Sequence, residues 1–240
     1  MLAHAEPPAP SAPRGLLITF EGGDGAGKTT HIGLLAEELQ AAGREVVRLR
    51  EPGGTAVGEQ LRGVVLDVAN AGLAPETELL IYEAARAQLV SEMVEPALRR
   101  GAVVLCDRFC DSTLAYQGFG RGLDRAFVER ASEFACKGLR PDRTILLVAG
   151  GATSGLARAT AVRQADRMEG AGEPFQQRVL DGFLQIARKE PDRVRTVRSD
   201  GDVHATAAAI RAELADLFPE LAADAPAGRA APAARVLEGE

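Results

Sequence analysis

Ten consecutive residues, Glu21-Gly22-Gly23-Asp24-Gly25-Ala26-Gly27-Lys28-Thr29-Thr30, hold the densest chemistry in the chain. From Gly22 to Thr29 they fit the pattern G-x-x-x-x-G-K-[ST]. Glycines in such a loop turn with positive φ and bring backbone N–H groups against phosphate oxygens. A helix that starts near Lys28 adds partial positive charge behind them. Lys28 offers a point charge to the β- and γ-phosphates, and the Thr29 hydroxyl is a ligand for Mg²⁺. The candidate ATP-binding residues are therefore Gly22, Gly23, Asp24, Gly25, Ala26, Gly27, Lys28, Thr29 and Thr30. The chain has only three lysines, Lys28, Lys137 and Lys189, so a lysine in this slot is hard to ascribe to chance. The loop implies a nucleoside triphosphate site.

Asp24 is out of character there, because a carboxylate beside phosphates is repelled. It is either a solvated turn aspartate or a group turned away from the triphosphate, towards hydroxyls of a second substrate. The second reading implies a transferase with two ligands rather than a hydrolase.

Further candidates follow the other strand-like runs. Arg50-Glu51-Pro52-Gly53-Gly54-Thr55 is a turn in which Thr55 caps the next helix. Its Arg-Glu pair stands at a ligand-facing edge, which makes Glu51 and Pro52 candidate substrate contacts. The apolar run Ala102–Cys106 ends in Asp107, a carboxylate placed to hold Mg²⁺ directly or through water. Arg108 beside it can take phosphate oxygens in bidentate fashion, or simply make a structural ion pair. Ser112, Thr113, Tyr116 and Gln117 then supply the hydrogen-bonding groups that a base-and-sugar pocket needs. Tyr82 and Arg86, one helical turn apart, can set a ring beside a guanidinium, although by spacing alone Tyr82 reads as core. Arg158, Arg163 and Arg167 flank a glycine-bearing stretch, Asp166 to Gly172. They suit a mobile flap that brings positive charge to the transferring group, or a solvated helix face. His4, His31 and His204 sit at no strand end, and Asn70 is the only asparagine, so the N-K-x-D guanine-reading motif is absent.

These groups need a scaffold. Strands are expected at 16–20, 45–49, 102–106, 144–148 and 193–197. Helices are expected near 28–42, 56–69, 76–99, 124–137, 153–164, 174–189 and 203–217, with a kink near Glu92 because Pro96 lacks an N–H. Such alternation predicts a parallel sheet covered on both faces, with ligands beyond the carboxyl ends of its strands. Residues 1–14 and 222–240 are Pro/Ala-rich and read as disordered tails. The 240 residues suffice for one large α/β domain. The net charge of −6, with no basic block, argues against a nucleic-acid surface. Cys106, Cys110 and Cys136 lack paired C-x-x-C spacing and read as thiols of a reducing, cytoplasmic compartment. No run is apolar enough for a bilayer.

Taken together, these residues resemble the thymidylate kinase family, of the bacterial kind, over roughly residues 15–218. F-E-G-x-D-G-x-G-K-T-T is met by Phe20 to Thr30, and R-E-P-G-G-T by Arg50 to Thr55. D-R-[FYH]-x-x-S-[ST]-x-A-Y-Q is met by Asp107 to Gln117, and D-R-x-E by Asp166 to Glu169. The resemblance implies a three-layer α/β P-loop NTPase fold. Its five-stranded parallel sheet would be flanked by helices, with a mobile lid at about 153–172. It implies transfer from ATP to dTMP with Mg²⁺, usually in a homodimer, with no nucleic-acid or membrane partner. By resemblance, Asp24 binds the sugar 3′-hydroxyl, Tyr82 stacks on thymine and Arg86 donates to its O4. Thr113 meets the base edge, Tyr116 crowds the 2′ position and Arg108 bridges the two phosphate groups. The P-loop here holds no arginine, so the resemblance assigns catalytic arginines to the lid: Arg158, Arg163 or Arg167. At the end of the fourth strand the family's acidic residue is missing, because the chain reads Val148-Ala149-Gly150. Two rivals stand on the residues themselves: a deoxynucleoside kinase, which needs a carboxylate base, and an ATP-switched regulatory module.

Overall fold

The computed structural model describes residues 14–150 and 166–221. Five strands form one parallel sheet: β1 (Leu17–Glu21), β2 (Val46–Arg50), β3 (Val103–Asp107), β4 (Arg143–Val148) and β5 (Val194–Arg198). Their order is β2-β3-β1-β4-β5. Every one lies within one residue of its expected position. β1 is buried along its whole length and pairs with β3 and β4, whereas β2 and β5 are partly open edges.

Strand side chains alternate between two cores, as the pleat demands. Ile18, Phe20, Leu105 and Leu147 pack under α1 (Lys28–Ala41) and the last long helix (Val203–Leu214). Leu17, Val104 and Cys106 face the opposite layer, where α3 (Pro75–Leu89) and α4 (Glu95–Arg99) lie. Numbered in chain order, α2 is Ala56–Leu66, α5 Cys110–Thr113, α6 Arg125–Ala135, α7 Glu173–Lys189 and α8 Val203–Leu214. Thr55 caps α2 as expected, accepting from the Gly58 N–H at 3.0 Å.

Two helical segments depart from the expected period. Between α3 and α4, Val90–Val94 adopts π geometry, where the sequence predicts a kink caused by Pro96. Leu114–Gly120 continues α5 as a second π turn, a segment that the periodicity does not announce. A π turn accommodates one extra residue in a helix and is frequent at functional sites. Arg14, expected in the N-terminal tail, ion-pairs with Asp142 at 3.0 Å. The expected helix at 153–164 and the tail at 222–240 lie outside the described residues.

The second π segment is held by α7. A Cβ added at Gly182 would meet Phe119 Cγ at 2.8 Å and Cβ at 2.9 Å, the root of that side chain rather than its movable tip. Gly182→Ala is therefore expected to destabilise the protein by about 1–3 kcal/mol, the usual cost of overpacking. Urea denaturation checks this, and an unchanged midpoint would mean that Phe119 moves away freely.

Candidate active site

The loop after β1 leaves the sheet beside β4. Gly22 has φ 129° there, and a Cβ on it would lie 2.3 Å from the Leu147 carbonyl oxygen, so only glycine fits. The Lys28 side chain folds back over the loop and donates to the carbonyls of Gly22 (3.1 Å) and Gly23 (2.9 Å). Burial, and then the nearby Arg108 charge, pull its pKa below the ordinary lysine value. Thr29 Oγ1 donates to Asp107 Oδ2 at 2.8 Å. The two expected metal ligands thus face each other as hard oxygen donors. Such a pair fits Mg²⁺, which binds one or two protein oxygens and takes the rest from phosphates and water.

Arg108 occupies the turn after β3 with φ 68°, a left-handed conformation that is uncommon for a residue with a side chain. Its guanidinium contacts both sides of the site. Nη2 pairs with Asp24 Oδ1 at 2.6 Å, while Nη1 donates to Gly22 O (3.2 Å) and Ser112 Oγ (3.1 Å). The guanidinium carbon stands 5.1 Å from the Tyr116 ring centre. Asp24 is thus turned to the arginine.

Beneath this turn lies Glu21, fully buried at the end of β1. Its Oε1 accepts from the N–H groups of Phe109 (2.7 Å) and Ser112 (3.2 Å), and its Oε2 from Ser112 Oγ (2.5 Å). Burial, followed by the neighbouring Asp111 charge, pushes its pKa up to about 7 against the pull of Arg108. Sequence reasoning gave Glu21 no role. Its signal was a lone carboxylate closing an otherwise apolar central strand.

A cavity of about 500 Å³ opens at these strand ends, within the range of small-molecule sites. Asp24, Gly25, Gly27, Lys28, Thr29, Thr30 and Asp107 line its phosphate-like end. Glu51, Pro52, Tyr82, Arg86, Ser112, Thr113, Tyr116 and Gln117 line the rest, with Arg108 touching both groups. Tyr82 is half-buried on the cavity wall, so the core reading of that residue does not hold. Gly22, Gly23 and Ala26 shape the loop without lining the cavity.

Arg86 is buried and held on several sides. Nε donates to Glu51 Oε2 (2.8 Å), Nη1 to Glu83 Oε1 (2.9 Å), and Nη2 to Thr113 Oγ1 (2.8 Å) and the Phe109 carbonyl (3.2 Å). The contacts fix the plane of the guanidinium at the cavity wall. Burial pushes the Glu51 carboxyl up to about 7, opposed by Arg86. Glu51 Oε1, although buried, accepts from no donor among the described residues.

The structure also brings in Arg62 and Leu66, which the sequence did not single out, and Arg50, Asp166 and Met168, which it named only within a turn and a flap stretch. Arg62 donates to the Pro52 carbonyl at 2.8 Å, and its pKa is drawn down by burial and then by Arg50. No local pattern marks it, since it lies within α2, about two turns beyond the Arg50–Thr55 motif. Arg158 and Arg163 lie outside the described residues. Arg167, expected as a lid arginine near the transferring group, is placed elsewhere. Its side chain is buried, donates from Nε to the Val65 carbonyl (2.8 Å) and ion-pairs with Glu78 (2.6 Å). The physical reason is a fully buried carboxylate within reach.

A glycine loop and lysine at the end of the central strand, with hydroxyl and carboxylate oxygens facing across it, define a P-loop nucleotide-binding protein of the phosphotransferase kind. Beside its phosphate end it carries a second, polar and aromatic compartment. The family model described as thymidylate kinase matches residues 20–210, and the chain belongs to that family. It is 47% identical over 211 residues to a thymidylate kinase of Geobacter sulfurreducens, covering 85% of this chain and 99% of that one. It is likewise 47% identical to one of Gloeobacter violaceus, over 85% of this chain and 95% of that one. A crystal structure of thymidylate kinase from Ehrlichia chaffeensis matches with a TM-score of 0.69 at 31% identity, over 84% of this chain and all of that one.

Proposed function

We propose that the protein transfers the γ-phosphoryl group of ATP to the phosphate of dTMP, giving ADP and dTDP. The observation that carries this reading is one cavity with two chemistries, joined by Arg108. The Lys28 end suits a triphosphate, and the Tyr82–Arg86–Gln117 end suits a flat base with hydrogen-bonding edges. The acceptor is already an oxyanion at neutral pH, so no general base is required, and the work is in-line positioning and charge neutralisation. Lys28 and Arg108 hold positive charge where the oxygens of the transferring group gather negative charge. Asp24 keeps Arg108 in place and is the carboxylate assigned to a hydroxyl of the dTMP sugar. Thr29 and Asp107 would hold Mg²⁺, which when bound neutralises charge on the β- and γ-phosphates. Arg158 and Arg163 are assigned to the lid.

The same reading includes a homodimer in the cytoplasm. Its support is the large apolar side chains left exposed on two neighbouring helices, Leu80 on α3 and Phe127 and Phe134 on α6, at 59%, 49% and 87%. The free cysteines suit a reducing compartment. Among the described residues, no helix is long and apolar enough to cross a membrane.

The test is ADP release in a coupled assay across the nucleoside monophosphates. Release is expected to depend on dTMP, whereas dTMP-independent release would favour an ATP-switched module. Binding can be read in parallel, because the chain has no tryptophan and two tyrosines, and both Tyr82 and Tyr116 line the cavity. Tyrosine emission should change saturably with dTMP and much less with tripolyphosphate. Indifference to dTMP at concentrations that saturate catalysis would place the base elsewhere.

A further inference from the structure

Glu78 has no exposed surface, yet it holds three side chains from two separate parts of the chain. It lies in the first turn of α3, where the helix N-terminus favours negative charge. Its Oε1 accepts from Gln117 Nε2 (2.7 Å) and Arg121 Nε (3.0 Å), while Oε2 accepts from Arg121 Nη2 (2.9 Å) and pairs with Arg167 Nη2 (2.6 Å). Despite burial, these partners hold its carboxyl below the usual range. Taking a carboxylate out of water costs several kcal/mol that its partners must offset. An apolar side chain would fill the same space without that cost, so the cluster's distinctive contribution is geometry.

Two of those geometries bear on the cavity. Gln117 lines it, and its NH₂ is committed to Glu78, which turns the amide's acceptor oxygen away from the carboxylate. Arg167 is flanked by Asp166 and Met168, which both line the cavity, and its backbone N–H donates to the Leu66 carbonyl (3.2 Å). Arg121 reaches Met168 as well, with Nη2 3.5 Å from Sδ. Tyr82 and Arg86 stand one and two turns along the same helix as Glu78.

We propose that Glu78 is a positioning residue that locks Gln117 and the 166–168 segment to α3 through one buried carboxylate, and so sets the acceptor end of the cavity as a unit. Arg167 acts through Glu78 rather than on the transferring phosphoryl group. This rests on the assignment of that end of the cavity to dTMP.

The test uses the full-length protein with Glu78→Gln, Arg167→Met and the double variant. Each single change is expected to raise KM for dTMP about tenfold, because a loosened cavity wall must be ordered when dTMP binds, with KM for ATP within about twofold. The double variant should be little worse than the poorer single one, because both changes break one linkage. A merely structural cluster would instead lower the melting temperature and the active fraction and leave both KM values alone. A fall in kcat for Arg167→Met with KM for dTMP unchanged would return Arg167 to the transferring group and overturn the proposal. If Glu78→Gln fails to fold, Arg167→Met alone decides between these outcomes by the same split. Absence of dTMP turnover in the unsubstituted protein would overturn the parent reading and this one with it. Normal turnover there, with unaltered KM in the variants, would overturn this one alone.

Discussion

Lys28→Ala is expected to lower kcat on the order of 10²-fold or more, with a much smaller rise in KM for ATP. That loss corresponds to about 2.7 kcal/mol of transition-state stabilisation. The amino group is buried at the loop, and its present acceptors are the loop's own carbonyls at 2.9 and 3.1 Å. A phosphoryl oxygen that gains charge during transfer is a stronger acceptor than either carbonyl, so the interaction grows towards the transition state. No other lysine can substitute, because Lys137 and Lys189 pair with Glu95 and Glu129 away from the cavity. Steady-state kinetics at saturating dTMP checks the expectation. Near-normal turnover would remove Lys28 from the mechanism.

A loss of similar size, on the order of 10²-fold in kcat, is expected for Arg108→Ala. Two effects must be separated here, because position 108 carries both a guanidinium and a left-handed backbone. Arg108→Gly keeps that backbone without a Cβ and should be more stable than the alanine variant by about 1 kcal/mol. If the charge is what matters, the glycine variant is equally inactive. If the backbone is what matters, it recovers turnover. Arg108→Lys is expected to recover little, since a point charge cannot serve Asp24, Ser112 and Gly22 at once as the fork does. Recovery of turnover by glycine would refute the assigned role.

The sheet was legible in the sequence because β1, β3 and β4 are short, largely apolar runs buried on both faces, and the edge strands β2 and β5 are short β-branched runs between helical patterns. The P-loop, Asp107 and Arg108 were legible because their spacing along the chain is itself the geometry. Gln117 and Thr113 could be named as candidate contacts from their order after Arg108, yet the π setting of Gln117 could not, since no simple period describes it. Arg62 and Leu66 were invisible for another reason. They reach the cavity through packing of α2 and the 166–172 stretch, which only the folded chain brings together. Arg167 misled because a sequence shows the charge of an arginine and not its nearest carboxylate. Glu78, 89 positions away, decides where that guanidinium goes.

The π segment at Leu114–Gly120 also makes residue count part of the specification of the pocket. A regular helix over the same span would hold one residue fewer per wide turn. Deleting Leu114 or Ala115 would turn Tyr116 and Gln117 about the helix axis relative to Thr113. Tyr116 and Gln117 could then no longer share a wall with Thr113, however faithfully their letters were kept. For anyone aligning or redesigning such chains, a one-position gap between Thr113 and Tyr116 is a change of cavity wall and not a change of loop length.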